Sequence, residues 1–398
     1  MIKITSSYLS SSAHKANPYP LYARMRAEAP LYRIRVTGTA TWLVTRYEDV
    51  LTLFTDRRIS NDWSSKGMSM ILRATPLRPI TRNMLNLDPP DHTRLRALVH
   101  KAFTPRLIER LRGRIQDVCD DLVGAVAVKG KMDLVSAYAL PMPLTIIGEL
   151  LGVPEKDSLE FHKMSRVIAA SSSGLFDTLL AFRSFWHIMR YFRKLIAQRR
   201  ANPQDDLITA LVQAEEAGDK LSEDELIAMV ILLLFAGYET TVNLITSGTW
   251  ALVLHPVQRE KFQQNPELAG SAIEELLRYT SPLDFSSIRR THEAITFGGV
   301  TIPAGDVMAA MVASANHDES QFPDPEVFDI TRDPNKHLAF GQGAHFCLGA
   351  PLARMEAQIA LTTLFSRFPD LRLAKSPESL QWRKSLGFRG LKELPIAF

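Results

Sequence analysis

The chain has 398 residues, of which 46% are hydrophobic and 23% charged, with two cysteines, a formal net charge of +4 and a pI near 9.0. This is the composition of a folded globular protein with apolar residues enough for a large core. It excludes a disulfide framework, and its mild basicity falls short of a nucleic-acid binder. The opening segment MIKITSSYLSSSAHKANPYP is polar and lacks the charged, apolar and cleavage regions of a leader, so a cytoplasmic protein is expected.

Taken in chain order, helical periodicity predicts helices over Pro18–Ala29, Tyr47–Thr55, His92–Ala102, Pro105–Val128, Pro141–Leu151 and Ala181–Ala201. Strand alternation is confined to Leu31–Val36 and Thr41–Tyr47, to Arg289–Gly305, and to Gly387–Phe398. No linker, repeat or low-complexity tract interrupts the chain, so one mainly helical domain with small β-sheets is expected over residues 1–398. The loop Ser65–Asp91 is longer than a compact domain needs, so a lid or binding loop is expected there, and its Met and Leu content suits apolar cargo.

Ser222 and Glu225 form a capping box for a helix that can run to Leu254, where His255-Pro256 stops it, a length of roughly 50 Å. Its apolar run Leu226–Ala236 is too short to cross a bilayer, so no membrane anchor is expected. Midway lies AGYETT, Ala236–Thr241. Small residues and adjacent threonines there read either as a groove that admits a ligand beside Glu239 and Thr240, or as close helix packing. The hexapeptide alone favours packing.

Cys347 stands before a helical pattern with Pro351 in its first turn, where the helix dipole and free amides favour a thiolate. Gly341, Gly343 and Gly349 around it permit backbone closed to other residues and let a flat, bulky group approach the main chain. A thiolate so placed is a nucleophile, a zinc ligand or an axial ligand to haem iron. Zinc wants about four ligands, and the other cysteine, Cys119, reads as a buried helix residue. No CxxCH occurs, and His345, two residues from Cys347, does not define a nucleophile's base.

FGQGAHFCLGAPLAR, Phe340–Arg354, resembles the cysteine-ligand loop of the cytochrome P450 family, Phe-x-x-Gly-x-x-x-Cys-x-Gly, with Phe340, Gly343, Cys347 and Gly349 at the fixed positions. The resemblance implies a P450 fold whose long central helix crosses the molecule over haem b, with Cys347 as iron ligand and Ala236 and Phe340 against the cofactor. EELLR then resembles the family's Glu-x-x-Arg pair, Glu275 and Arg278, with Arg332 as third member of a structural network. Alone, such a pair is most often exposed. AGYETT resembles the oxygen-activating segment, which reverses the packing reading: Glu239 and Thr240 match its acid and alcohol, which deliver protons as dioxygen is cleaved. Asn243 fits the bacterial pattern too. His92, Arg96, Arg289 and His345 resemble donors to the haem propionates, with Arg290 one register step away from Arg289.

The same kinship implies a dioxygen-dependent monooxygenase, expected as a monomer, fed by an external ferredoxin and an NAD(P)H-dependent ferredoxin reductase. Arg94, Lys101, Arg106, Arg110 and Arg354 suit docking of an acidic partner. Substrate contacts are expected from the Ser65–Asp91 loop, from Leu232, Leu233 and Ala236, from Leu283, Asp284 and Phe285, and from Leu386–Phe388. These are mostly apolar, so the substrate is lipophilic. Asp284 departs from the trend, meeting either a substrate amine or hydroxyl, or solvent. A peroxide-driven peroxygenase and a non-catalytic haem-binding protein are the alternatives, with a cysteine hydrolase as the non-haem reading.

Overall fold

The computed structural model describes the chain apart from residues 1–3, 37, 63–82, 155, 158–159, 162, 165–174 and 217–220, with backbone alone at 175–185 and 215–216. Most of the Ser65–Asp91 loop lies outside the described residues. The chain forms two compact units: Met1–Asn61 with Cys119–Ala139 and Thr240–Phe398, and Asp62–Val118 with Leu140–Glu239. Two helices, Pro105–Ala127 and Glu223–Leu254, continue along the chain from one unit into the other.

The first unit holds the sheets. Strands β1 (Leu31–Val36) and β2 (Thr39–Val44) form an antiparallel hairpin, in register from Leu31 opposite Val44 to Val36 opposite Thr39. The predicted second strand stops short of Tyr47, because Tyr47 already opens the helix Tyr47–Thr55 behind an extended Arg46. Strand β3 (Ile59–Ser60) is too short to leave a pattern. Strands β4 (Lys131–Asp133), β5 (Arg289–Thr291), β6 (Ile295–Phe297), β7 (Val300–Ile302), β8 (Val307–Ala310), β9 (Arg372–Leu373) and β10 (Pro395–Ala397) follow. One sheet runs β1-β2-β8-β5-β3, another β4-β10-β9, and β6 pairs with β7 alone. β8 lies parallel to β2 and is buried at all four positions, so it has no apolar-polar alternation to betray it.

Two cores pack on this sheet. One joins Leu31, Val44, Phe54, Phe297, Met308, Phe322 and Leu338; the other joins Leu9, Tyr22, Met25, Ile34, Leu43, Phe285 and Met311. The helices Ala269–Thr280 and Ala350–Arg367 pack against each other in the same unit. The first ends at Ser281 in the left-handed region, φ 41°, where the serine hydroxyl donates to the Arg278 carbonyl at 2.9 Å.

The second unit is helical: Asp91–Ala102, Pro141–Leu150, Leu175–Ala201 and Leu207–Glu216, with the leading parts of the two continuous helices. Leu207–Glu216 packs on both Asp91–Ala102 and Leu175–Ala201. The predicted ends agree to within a residue or so, apart from the earlier start at Leu175. The capping box is present: Glu225 N–H donates to Ser222 Oγ at 3.2 Å and Ser222 N–H to Glu225 Oε2 at 2.8 Å. By length and hydropathy Glu223–Leu254 would also reach across a bilayer, yet 56% of its apolar window is buried within the protein, as in a core helix.

The β6–β7 hairpin turns through Gly298 and Gly299, at φ 53° and 83°. A Cβ on Gly298 would come within 2.6 Å of the rigid Pro30 ring, whereas one on Gly299 meets nothing. Gly299→Ala is therefore expected to cost about 1 kcal/mol and Gly298→Ala about 3 kcal/mol, since only the latter adds a clash to the backbone strain. Denaturant unfolding of the two variants checks the order.

Candidate active site

Cys347 sits one turn before the helix Ala350–Arg367, with Pro351 in its first turn. Its amide donates to the Phe340 carbonyl at 2.9 Å, closing the segment between them into a loop that contains a short 3-10 turn, Gly343–His345. Gly341 and Gly343 have φ of 68° and 74°. At Gly343 a Cβ would stand 3.0 Å from the Phe54 carbonyl oxygen, so glycine there serves both a left-handed backbone and a close approach. Gly349 differs from expectation. Its φ is an ordinary −82° and a Cβ on it would meet nothing, so the chain's own packing does not demand glycine there.

Two consecutive carboxylates on the helix Ala269–Thr280 clasp this loop. Glu275, with no solvent exposure, accepts both guanidinium bonds of Arg278 at 2.8 Å, Asp329 N–H and Asn335 Nδ2 at 3.0 Å, and lies 3.4 Å from Arg332 Nε. Arg278, equally buried, donates onward to the carbonyls of Asn316, Pro325 and Val327. Glu274 accepts from Arg354 Nε and Nη2 at 2.7 Å, and His337 Nε2 lies 3.1 Å away. Burial opposes ionisation of Glu274, but bonds from Arg354 and His337 prevail and hold its carboxyl at about 2. Asn335 and His337 precede the cysteine and Arg354 follows it, so the loop is gripped at both ends. The guanidinium of Arg354 also lies 4.6 Å from the Phe340 ring centroid.

Thr240 and Glu239 are half-buried on the long helix, whose flanking stretches Leu226–Ile231 and Thr241–Thr249 are buried. Ala236 and Gly237 are exposed midway along it, and Leu232 and Leu233 half-exposed. Thr246 and Thr249 bond back to carbonyls, each at 2.8 Å, and the Thr241 hydroxyl bonds Glu356. His92 and Arg96 share one face of Asp91–Ala102; burial and the Arg96 charge lower the His92 pKa, keeping the ring neutral. The strand alternation of β5 separates the two candidate arginines. Arg289 is buried, donating to the Leu53 carbonyl at 3.0 Å and lying over the Phe54 ring, whereas Arg290 turns outward to the Gly305 carbonyl. His345 is half-buried within the cysteine loop.

Three expectations need correction. Asp284 meets neither solvent nor substrate: it is wholly buried, ion-paired to Lys15, and accepts from the Tyr22 hydroxyl at 2.8 and 3.0 Å. Phe285 is likewise turned inward, packed in the core with Tyr22, Met25 and Met311. Leu283 and Phe388 remain half-exposed and face each other across an antiparallel bridge. Of the basic residues assigned to docking, Arg94 is paired with Glu225 at 2.6 Å and Arg354 with Glu274. Lys101 and Arg106 stay exposed, and Arg110 forms only an exposed 3.6 Å pair with Asp205.

The model of the cytochrome P450 family matches residues 7–379. Cytochrome P450 107B1 of Saccharopolyspora erythraea is 46% identical over 383 residues, 94% of this chain and 93% of that one. The polyketide biosynthesis cytochrome P450 PksS of Bacillus subtilis is 43% identical over 390 residues, 96% of each. Its solved structure superposes with a TM-score of 0.91 over 100% of this chain and 99% of that one, and myxobacterial CYP267B1 in complex with myristic acid, 42% identical, does so with 0.91 over 98% of each. The chain therefore belongs to the cytochrome P450 family, the haem-thiolate monooxygenases. The residues present fit haem: a cysteine at a helix N-terminus, half-exposed Phe340 and exposed Phe346 beside it, and Gly349, whose Cβ would meet no neighbour in the chain.

Periodicity gave no warning of Glu356, the one charged residue between Arg354 and Arg367 on the helix that follows the cysteine. It is buried, and burial pushes its carboxyl up to about 8 against a smaller opposing bond from the Thr241 hydroxyl. Cys119 is inert by the same physics, its thiol pushed up to about 12 by burial beside Tyr138. For Glu356 the folded-state pKa lies above the unfolded one, so its contribution is fully present below pH 4.5, is lost as pH rises from there to about 8, and levels off above. By about pH 8 the loss reaches up to about 5 kcal/mol. Thermal unfolding between pH 6 and 9 should show this slope in the native protein and a flatter one in Glu356→Gln.

Proposed function

We propose that this single-domain cytoplasmic enzyme, a monomer, hydroxylates or epoxidises a large lipophilic molecule of the polyketide or fatty-acyl kind, using dioxygen and electrons from a ferredoxin and its NAD(P)H-dependent reductase. The observation that carries the reading is Cys347 at the mouth of its helix, in a loop gripped from both ends by Glu274 and Glu275. Haem held by the Cys347 thiolate supplies the reduction of dioxygen and the transfer of one oxygen atom to a C–H bond.

The chain's own residues do the rest. His92, Arg96, Arg289 and His345 supply donors to the two propionates, Arg289 rather than Arg290 because its side chain is the one turned inward. Phe340 and Ala236 present apolar surface to the ring. The Thr240 hydroxyl hands protons toward the oxygen being cleaved, and half-exposed Glu239 replenishes them from water. Leu232, Leu233, Ala236, Leu283 and Phe388 exclude water and orient the substrate. Relatives' names support this substrate class: the polyketide biosynthesis cytochrome P450 PksS and 6-deoxyerythronolide B hydroxylase, with myristic acid bound in CYP267B1. The exposed Lys101, Arg106 and Arg110 suit attraction of an acidic ferredoxin.

Reduced protein under carbon monoxide should show a band at about 450 nm, lost in Cys347→Ser. Thr240→Ala should keep the band while product formed per NAD(P)H falls at least about tenfold. A Cys347→Ser protein that retains the band, or a Thr240→Ala protein that stays fully coupled, contradicts the assignment. Turnover with hydrogen peroxide equal to that with reductase would favour the peroxygenase instead.

A further inference from the structure

The short helix Ser12–Ala16 carries a lysine whose side chain has no solvent exposure. The Lys15 ammonium donates to the Asp284 carboxylate and, at 3.1 Å, to the Leu386 carbonyl. Tyr22 donates to the same carboxylate, and His14 Nε2 lies 3.2 Å from the Tyr22 hydroxyl. Burial pushes the Tyr22 hydroxyl up and the His14 ring down to about 4, so both are neutral partners of the Lys15–Asp284 pair. Arg389 completes the anchor, its Nε donating to the Lys15 carbonyl at 2.9 Å and its Nη1 to the Thr280 carbonyl at 3.0 Å.

The segments that Lys15 grips are those that carry Leu283 and Phe388. These two are bridged, and the flanking backbone bonds run from Asp284 N–H to Gly387 O at 2.8 Å and from Arg389 N–H to Pro282 O at 3.0 Å. Asp284, Phe285 and Arg389 point into the core while Leu283 and Phe388 stay half-exposed. One buried ammonium thus holds both strands of the bridge from behind. A buried ion pair adds little stability over apolar residues of the same volume, so what it contributes here is a fixed geometry.

We infer that Lys15, acting through Asp284 and the Leu386 carbonyl, is a positioning residue that sets how tightly the Leu283–Phe388 bridge holds an apolar substrate. The inference rests on the proposed placement of Leu283 and Phe388 at the substrate. It is tested in the haem-loaded protein by titrating imidazole and 4-phenylimidazole, two iron ligands of which only the second needs apolar contacts. In the doubly substituted Lys15→Met, Asp284→Leu protein, which removes both members of the buried ion pair together and leaves Arg389 on its carbonyl partners, the 4-phenylimidazole Kd should rise about tenfold while the imidazole Kd stays within about twofold. The reduced carbon monoxide band per haem should be unchanged. Tyr22→Phe, which keeps the ring and loses one hydrogen bond to Asp284, should shift the 4-phenylimidazole Kd about twofold in the same direction, and serves if the double variant does not fold. Native 4-phenylimidazole affinity in both variants would overturn the inference and leave Lys15 a purely structural residue. Native protein that binds imidazole but gains nothing from the phenyl ring would overturn the placement of the bridge and the inference with it. Absence of any imidazole or carbon monoxide signal in native protein would instead sink the haem reading itself.

Discussion

The arrangement around Cys347 depends on a carboxylate that water does not reach. Glu275 would cost several kcal/mol to bury as a bare charge, and it is tolerable only because Arg278, Arg332, Asn335 and the Asp329 amide converge on it. Arg278 comes from Glu275's own helix and the other three donors from the stretch Asp329–Asn335, so satisfying one anion ties the helix Ala269–Thr280 to that stretch, which leads into the cysteine loop, while Arg278 reaches on to the Pro325 carbonyl. Removing any partner leaves the others oriented toward an undersatisfied charge, which is why such a network behaves as a unit. Its neighbour Glu274 extends the grip past the cysteine, to Arg354.

A thiolate ligand needs a backbone that does not relax as its charge is shared, and the loop supplies one. Cys347 N–H is committed to Phe340, Leu338 N–H to the Asn316 side chain at 2.7 Å, and the Asn316 carbonyl to Arg278. The cysteine is thus linked through a few hydrogen bonds to the buried Glu275–Arg278 pair. Left-handed Gly341 and Gly343 let the chain double back within that span, and at Gly343 the Phe54 carbonyl leaves no room for a side chain. Gly349 answers to no neighbour in the chain. A glycine whose Cβ would project into open space beside a cysteine is understandable when the constraint comes from the group that the cysteine holds.

How much of this was legible beforehand follows from the range of each interaction. Helix ends, the capping box at Ser222 and the β1 strand are local, and propensity and periodicity placed them to within a residue or so. Glu275, Arg278 and Arg332 could be named only through family resemblance, because an i,i+3 pair carries no mark of burial. Asp284 was misjudged because the partner that permits its burial, Lys15, lies 269 positions away, and no window of sequence joins the two. Arg94 and Arg354 looked available for docking for the same reason, their partners Glu225 and Glu274 being distant in the chain. Strand β8 was missed because full burial erases alternation. Glu356 stood in plain view as a lone acid in an apolar helix, a pattern that periodicity averages away.

The two buried anions, Glu275 and Asp284, are related by their position along the chain as well as by their chemistry. One stands within the helix Ala269–Thr280 and the other four residues past its end, after the left-handed Ser281. Ser281 is itself bonded to both sides, accepting from Asn316 Nδ2 at 3.1 Å and donating to the Arg278 carbonyl, while Arg389 reaches the Thr280 carbonyl. The same short helix therefore sets the cysteine loop through its acidic middle and the Leu283–Phe388 bridge through its C-terminal exit. Two surfaces positioned from one rigid element keep their separation when the rest of the chain moves, since a displacement of the helix carries both together. A strained serine and two costly buried charges are reasonable at that place, because fixed spacing is a property that apolar packing, being non-directional, supplies poorly.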